Sequence, residues 1–259
     1  MSGPPHPDPG LTISAVLPAY NEEALVERTV TEIAATLRGL ARWFEIVVTD
    51  DGSRDQTGAI LVRLASTRPE LHLRVVTHHT NRCYGAALAS GFGAASADLI
   101  WMLDADGQFA VGEIVELLAA VDDDIDLVIG YRARRADPPS RKLNAWGWNL
   151  LVNSLFGYTA RDVDCALKLF RRSVWQSLTV RSSGAAFSAE LLVRARRLGF
   201  RIRELPVSHL PRTAGTPTGA APHVIARARV ELFQLRLKLA REPSRAVRVA
   251  RGAPTALAT

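Results

Sequence analysis

Residues 99–108 read LIWMLDADGQ, five apolar residues followed at once by the sequence Asp-Ala-Asp. A short, wholly apolar run of this kind is typical of a strand buried on both faces of a parallel sheet. Such sheets bind ligands at the carboxyl ends of their strands. The stretch therefore predicts a buried strand that delivers the carboxylates of Asp104 and Asp106 to one edge of a sheet.

The chain around this stretch alternates between apolar runs and helical patterns. Apolar runs predict strands at residues 11–17, 44–49, 71–77, 99–103 and 127–129. Apolar residues at helical spacing predict helices at residues 22–40, 55–66, 85–95 and 111–121. This succession predicts an α/β fold with a mostly parallel sheet covered by helices.

The second half of the chain is less regular. It predicts strands at residues 167–170 and 202–207, helices at 144–156, 187–198 and 224–241, and a loop at 215–222. We expect one domain over residues 11–221 and a basic amphipathic helix over 222–242. Residues 1–10 and 243–259 are expected to be disordered tails.

The composition is that of an ordinary globular protein, with 47% hydrophobic and 22% charged residues among 259. Two cysteines, Cys83 and Cys165, are too few for a disulfide framework. No apolar run reaches the ~18–20 residues of a membrane span, and the first ten residues lack the apolar core of a signal peptide. These features predict a cytoplasmic protein.

Positive charge is concentrated near the C-terminus. The formal net charge is +6, and residues 194–252 hold 14 Lys and Arg against 3 Asp and Glu. This asymmetry indicates that the C-terminal part faces phosphate groups, a membrane surface or nucleic acid, or else that it is a solvated Arg-rich face. Aromatic and basic residues do not interleave as in single-strand binders, so we expect no nucleic-acid partner.

Asp104 and Asp106 stand two residues apart, so that alternation points both side chains in a similar direction. Carboxylate oxygens suit Mg²⁺ or Mn²⁺, and Gln108 is placed to supply a third oxygen. A metal held there neutralises a departing diphosphate. The alternative interpretation is an ordinary Asp-Gly turn.

A second acidic pair, Asp50 and Asp51, follows the strand at residues 44–49. A carboxylate at this strand end can accept hydrogen bonds from a nucleobase or a ribose. The alternative is that these residues, with Ser53 or Asp55, cap the following helix.

Five segments in order resemble glycosyltransferase family 2, and within it the polyprenyl-phosphate (dolichyl-phosphate) mannosyl- or glucosyltransferase group. The segments are VLPAYNE at residues 16–22, DDGSRDQT at 50–57, Asn81 with YGA at 84–86, DADGQ at 104–108 and DVDCALKLF at 162–170. The resemblance implies a GT-A fold, a nucleotide sugar donor of the GDP-mannose or UDP-glucose type, Mg²⁺ or Mn²⁺, and inversion at the anomeric carbon.

The resemblance also implies site residues. It places donor contacts at Pro18, Ala19, Tyr20, Glu22, Asp50, Asp51, Asn81, Gly85, Asp104, Ala105 and Arg212, and the metal at Asp104, Asp106 and Gln108. In the subgroup the acceptor is a lipid phosphate, which Arg132 and Arg141 would hold through their planar forks of donors.

The acceptor side departs from the family pattern. Ala145 replaces a small hydroxyl residue, the residues 164–166 read Asp-Cys-Ala in place of Thr-Ser-Gly, and Thr216-Pro217 replaces Ser-Lys. A soluble hydroxyl acceptor is therefore the second hypothesis, and it requires a base, for which Asp162, Asp164 and Glu190 are candidates. A non-catalytic binding protein is the third.

The C-terminal helix is amphipathic. Its apolar stripe consists of Ile225, Ala228, Leu232, Leu235 and Leu239, with Arg227, Gln234, Lys238 and Arg241 largely opposite. Such a helix either lies on the inner face of a membrane or packs against the flank of the sheet. An oligomer is also compatible with the sequence.

Overall fold

The computed structural model describes residues 10–212 and 222–242. These residues form seven strands and eight α-helices, which alternate except where two helices follow each other between the last two strands. The strands are β1 Thr12–Ala19, β2 Trp43–Asp50, β3 Leu73–Thr77, β4 Leu99–Met102, β5 Leu127–Arg134, β6 Lys168–Arg171 and β7 Ile202–Ser208. The helices are α1 Val26–Arg38, α2 Thr57–Thr67, α3 Tyr84–Ala94, α4 Ile114–Ala119, α5 Pro139–Phe156, α6 Arg172–Ser177, α7 Phe187–Arg197 and α8 Pro222–Arg241.

All seven strands form one sheet in the order β3-β2-β1-β4-β6-β5-β7. Every pair is parallel except those of β6, which runs antiparallel to β4 and β5. The strand order reverses beside β1, because the chain builds outward to β3 and then returns to place β4 on the other side. In such sheets the crevice at this reversal is where ligands bind.

Apolar burial explains the central elements. All four residues of β4 are buried, as the apolar run predicts. Helix α1 buries Val26, Val30, Ile33 and Leu37, which recur at helical spacing. The mostly parallel α/β architecture predicted from the sequence is therefore confirmed.

Several predicted boundaries are wrong. Strand β5 continues to Arg134, beyond the predicted end at residue 129, because its polar end pairs with β7. Arg132 consequently lies within this strand and not after it. Helix α5 begins at Pro139, five residues before the predicted start, so that Arg141 lies in its first turn. Helix α6 and the antiparallel direction of β6 were not predicted.

The C-terminal helix α8 contacts α5 and α7. The described members of its predicted apolar stripe, Ala228, Leu232, Leu235 and Leu239, are all buried. Among residues 10–212 and 222–242, every helix is too short or too polar to cross a bilayer. Residues 1–9 of the predicted tail at 1–10, the predicted tail at 243–259 and most of the predicted loop at 215–222 lie outside the described residues.

Candidate active site

The turns that follow β1 and β2 meet at one edge of the sheet. The amide of Asp51 donates to the carbonyl of Ala19 (2.9 Å), and the amide of Asn21 donates to the hydroxyl of Ser53 (3.0 Å). In the β1–β4 register Val16 lies beside Met102, so the turn after β4 leaves from the same edge. The residues predicted here as donor contacts are Pro18, Ala19, Tyr20, Glu22, Asp50, Asp51, Asp104 and Ala105.

The two aspartates after β4 have different surroundings. Asp104 accepts a hydrogen bond from the hydroxyl of Tyr84 (2.9 Å), and Asp106 accepts one from the backbone amide of Gln108 (3.1 Å). Burial, reinforced by the charge of Asp106, raises the pKa of Asp104 to about 7. A cation bound between these carboxylates would stabilise the ionised form of Asp104 and lower that pKa.

The oxygen atoms of this aspartate pair are suitable ligands for Mg²⁺ or Mn²⁺. Mg²⁺ commonly combines one or two carboxylates with water and substrate phosphate oxygens. The described part of the chain holds no group of three or more His, Cys, Asp and Glu side chains arranged around a metal. The side-chain nitrogen of Gln108 donates to the carbonyl of Leu210 (3.1 Å), so its amide oxygen is the atom left for a metal. Two carboxylates together with substrate oxygens are therefore the metal ligands that fit this site.

Arg212 connects the end of β1 with the aspartate pair. Its guanidinium lies 2.6 Å from Oε1 of Glu22 and 3.3 Å from Oδ2 of Asp106. Burial raises the pKa of Glu22, and the hydrogen bond from Arg212 opposes that rise. The segment after β7 thus brings a positive charge to two acidic side chains from separate strand ends.

Asp50 and Asp51 have different neighbours. Oδ1 of Asp50 accepts from the amide of Ser53 (3.0 Å), and a Cβ on Gly58 would lie 2.6 Å from Oδ2 of Asp50. Oδ1 of Asp51 lies 2.6 Å from Nδ1 of His78. The carboxylate of Asp50 therefore contacts its own turn and the first turn of α2, whereas the carboxylate of Asp51 contacts the turn after β3.

Three other predicted donor contacts also have structural roles. Oδ1 of Asn81 accepts from the amide of Cys83 (3.1 Å). A Cβ on Gly85 would lie 2.6 Å from Cβ of Phe187, so close packing of α3 on α7 requires glycine. Ala105 is buried. Gly85 and Ala105 can therefore serve a ligand only through their main chain or through the space that they leave.

The antiparallel direction of β6 brings its entry segment to the same edge. Lys168, the first residue of β6, lies beside Met102 at the end of β4. The ammonium of Lys168 is fully buried and donates to the carbonyls of Val163 and Cys165. These hydrogen bonds hold residues 162–165 at the edge of the sheet.

Both predicted phosphate-binding arginines are in ion pairs. Nε and Nη2 of Arg132 lie 2.6 Å and 2.7 Å from the two carboxylate oxygens of Asp162. Arg141 lies 3.4 Å from Asp137. Arg135, which the sequence analysis missed, lies 3.0 Å from Asp137 and 3.8 Å from Asp162. We call these five residues the arginine cluster; its three guanidinium groups outnumber its two carboxylates.

The arginine cluster adjoins the aspartate pair. The positive charge of Arg132 lowers the pKa of Asp104 and so partly offsets the effect of burial on that carboxyl group. His209 links the two groups in space, because its Nδ1 lies 3.9 Å from Asp137 and its ring packs edge-to-face against Phe109, three residues after Asp106.

The candidate bases differ in their availability. Burial would raise the pKa of Asp162, but the hydrogen bond and charge of Arg132 hold it below its usual value. Desolvation raises the pKa of Asp164 to about 6 against the charge of Lys168, although part of this side chain reaches solvent. Glu190 is buried in an ion pair with Arg194 (2.7 Å). Asp164, which forms no ion pair within the described residues, is the carboxylate among the three that is most available to take a proton.

Comparisons with known proteins identify relatives of this chain. The sequence profile of Glycosyl transferase family 2 matches residues 14–179. The undecaprenyl-phosphate 4-deoxy-4-formamido-L-arabinose transferase of Salmonella paratyphi A is 33% identical over 208 residues, which cover 78% of this chain and 61% of that protein. The transferase of the same name from Salmonella choleraesuis is 32% identical over 208 residues, with the same coverage. This chain thus spans about 61% of the length of these curated relatives.

Solved structures share the fold. Glucosyl-3-phosphoglycerate synthase from Mycobacterium tuberculosis in complex with phosphoglyceric acid has a TM-score of 0.68 and 23% identity, covering 87% of this chain and 80% of that chain. Its complex with Mn²⁺, uridine diphosphate and glucosyl-3-phosphoglycerate has a TM-score of 0.65 and 23% identity, covering 88% and 80%. These likenesses confirm the predicted GT-A fold. Because the family profile covers more than half of the sequence as well, this chain belongs to glycosyl transferase family 2.

Proposed function

We propose that this chain transfers a hexose, with inversion, from a nucleotide sugar to the phosphate of a polyprenyl phosphate. The observation that carries the proposal is the adjacency of an aspartate pair and a cluster of arginines at one sheet edge. The relatives named as undecaprenyl-phosphate transferases support the acceptor class. The neighbours named as complexes of uridine diphosphate with Mn²⁺ or Mg²⁺ support the donor class and the metal.

The donor, of the GDP-mannose or UDP-glucose type, would bind across the ends of β1, β2 and β4. Asp104 and Asp106, with Gln108, would hold Mg²⁺ or Mn²⁺. Such an ion, when bound, neutralises the charge that develops on the leaving nucleoside diphosphate. Tyr84 orients Asp104 through its hydrogen bond, and Arg212 adds a positive charge beside Glu22 and Asp106. The remaining proposed donor contacts are Pro18, Ala19, Tyr20, Asp50, Asp51, Asn81, Gly85 and Ala105.

A phosphate acceptor suits the arginine cluster. A phosphate oxygen is already anionic, so its attack on the anomeric carbon needs orientation more than a base. Arg132 and Arg141, with Arg135, offer planar forks that match phosphate geometry. Within the cluster, three guanidinium groups against two carboxylates give a net charge of +1, which favours an anion, while the charge of Arg132 also acts on Asp104 and Asp164.

One observation favours a second candidate, transfer to a soluble hydroxyl compound. A hydroxyl acceptor must lose its proton to a base whose pKa lies near the working pH. Asp164, whose pKa desolvation raises to about 6, has this property and forms no ion pair with an arginine in the described residues, although its exposure to solvent reduces the effect of desolvation. Asp162 is less suitable, because Arg132 keeps it ionised.

Helix α8 carries a second apolar face, which supports peripheral contact with a membrane. Val230, Phe233 and Leu237 are 55%, 51% and 62% exposed and lie on the side of α8 opposite its buried stripe. Arg229 and Arg236 border this exposed face along one edge. An outward apolar face bordered by cations is the arrangement of helices that lie in an anionic membrane surface.

Helix α5 also carries exposed apolar residues. Its residues Leu143, Trp146 and Leu150 are 66%, 64% and 51% exposed, recur at helical spacing, and belong to a helix that contacts α8. Together the two helices would rest on the cytoplasmic face of a membrane and bring the site to a lipid-borne phosphate.

The decisive assay uses radiolabelled nucleotide sugars, Mn²⁺ and vesicles that contain polyprenyl phosphate. The proposal expects a chloroform-soluble product that is lost when polyprenyl phosphate is omitted or the metal is chelated. Absence of a lipid product with GDP-mannose, UDP-glucose and UDP-N-acetylglucosamine alike would refute it. A water-soluble glycoside whose formation Asp164→Asn abolishes would favour the second candidate.

A further inference from the structure

A buried hydrogen-bond chain runs from the end of β2 to the middle of α3. Nδ1 of His78 lies 2.6 Å from Oδ1 of Asp51, and Nε2 of His78 lies 2.9 Å from the hydroxyl of Ser90. Asp51 is 3% exposed and His78 is 7% exposed. The motifs of the donor site and the arginine cluster account for neither His78 nor Ser90.

The chemistry of the partners assigns the direction of these bonds. An ionised carboxylate only accepts hydrogen bonds, so Nδ1 of His78 carries the proton that it shares with Asp51. In the neutral ring Nε2 is then an acceptor, which the hydroxyl of Ser90 satisfies. The carboxylate of Asp51 therefore sets the tautomer in which His78 donates to it, and the hydroxyl of Ser90, which can donate or accept, is compatible with that tautomer.

The hydrogen-bond donors around Asp51 leave one of its carboxylate oxygens available. The backbone amide of Arg82 also donates to Oδ1 (2.9 Å), so that two donors converge on the same oxygen. No residue in the described ranges donates to Oδ2 of Asp51. Two donors on one oxygen fix the plane of the carboxylate and hence the direction of the other oxygen.

The main chain around this carboxylate is also fixed. The amide of His78 donates to the carbonyl of Asp50 (2.9 Å). Gly52 adopts φ +72°, and a Cβ there would lie 2.6 Å from the carbonyl carbon of Thr80. The turns after β2 and β3 are thus in close contact, and His78 is the side chain that joins them.

We propose that His78 is a positioning residue that aims Oδ2 of Asp51 at a ring N–H of the donor nucleobase. The inference rests on the proposed function, because it requires that a nucleoside diphosphate binds at this edge. A fixed acceptor oxygen selects bases that present an N–H at that point, since a base without it leaves the buried carboxylate unpaired.

The test measures nucleotide binding by calorimetry in the presence of Mn²⁺. UDP and GDP are titrated first, and the one that binds is compared with its analogue methylated at the ring N–H. Three variants are compared with the unaltered chain: His78→Leu, His78→Asn and His79→Leu. Asn can place an amide donor near the position of Nδ1, and His79 is an exposed neighbour of the same residue type.

We expect His78→Leu to weaken binding of the unmethylated nucleotide about tenfold and to abolish the preference over its methylated analogue. His78→Asn should retain most of that preference, and His79→Leu should match the unaltered chain. A merely structural role for His78 would lower affinity for both nucleotides equally and leave their ratio unchanged; this result would overturn the inference. If the unaltered chain binds neither UDP nor GDP, the proposed function fails first.

Discussion

The buried pair formed by Arg132 and Asp162 allows a sharp test of the arginine cluster. The side chains of Arg132 and Asp162 are only 11% and 8% exposed, and the pair is bidentate at 2.6 Å and 2.7 Å. Removing one partner of a buried ion pair costs ~3–5 kcal/mol because the other charge stays buried. Asn retains one acceptor oxygen, so we expect Asp162→Asn to lower the free energy of unfolding by about 3 kcal/mol.

The assay is thermal and urea denaturation, with an exposed ion pair as the control. A loss of this size lowers Tm by about 6–12 °C for a chain of this length. Glu32→Gln removes an exposed partner of Arg28 on α1, and it should change stability by no more than about 0.5 kcal/mol.

The pair also predicts a pH dependence with a defined sign. Because Arg132 lowers the pKa of Asp162 below 3.8, the stabilisation is present above that pH and is lost as the pH falls through the lowered pKa. The free energy of unfolding of Asp162→Asn should therefore fall less than that of the unaltered chain as the pH drops through the lowered pKa. If Asp162→Asn melts together with Glu32→Gln, Asp162 does not hold Arg132, and the ion-pair interpretation of the cluster is refuted.

Four further predictions concern other parts of the molecule. Asp104→Asn should lower metal-dependent turnover at least about 100-fold. Because the pKa of Asp104 is about 7 in the folded chain against 3.8 unfolded, the metal-free protein should lose stability as pH rises from about 4 to about 7, and urea titrations in EDTA should show this slope disappear in Asp104→Asn. Gly85→Ala should cost ~1–3 kcal/mol by overpacking against Phe187, whereas Gly93→Ala in the same helix, where a Cβ meets nothing within 4 Å, should stabilise by up to about 1 kcal/mol in denaturant melts. Phe233→Glu should reduce co-sedimentation with anionic vesicles about tenfold without changing Tm, and equal sedimentation would exclude α8 as a membrane contact.

Short-range patterns were sufficient for much of the fold. The run at residues 99–103 predicted β4, and the spacing of Val26, Val30 and Ile33 predicted α1, because burial on both faces of β4 and on one face of α1 leaves a direct trace in the sequence. The continuation of β5 to Arg134 was missed because its residues are polar, and only pairing with β7 makes them a strand. The direction of β6 likewise depends on distant partners.

The site was predicted less completely than the fold. The motifs drew attention to Asp104, Asp106 and Arg132, and their roles in binding metal and substrates stay predictions. The partners of these residues were not foreseeable, because Arg132 and Asp162 lie 30 positions apart and no local spacing couples them. One feature of the sequence could have pointed to Arg135, namely its position three residues after Arg132.

The reversed direction of β6 separates two parts of the site along the chain. Residues 162–165 lie at the site's edge of the sheet because they lead into this antiparallel strand. They belong to a different turn from the segments that follow β1, β2 and β4. Insertions or sequence exchanges between α5 and β6 can therefore change this part of the sheet edge while the parallel strands keep their register. Under the proposed function, we expect a chimera that imports this stretch from a relative to change the acceptor preference and to retain the sugar-nucleotide preference.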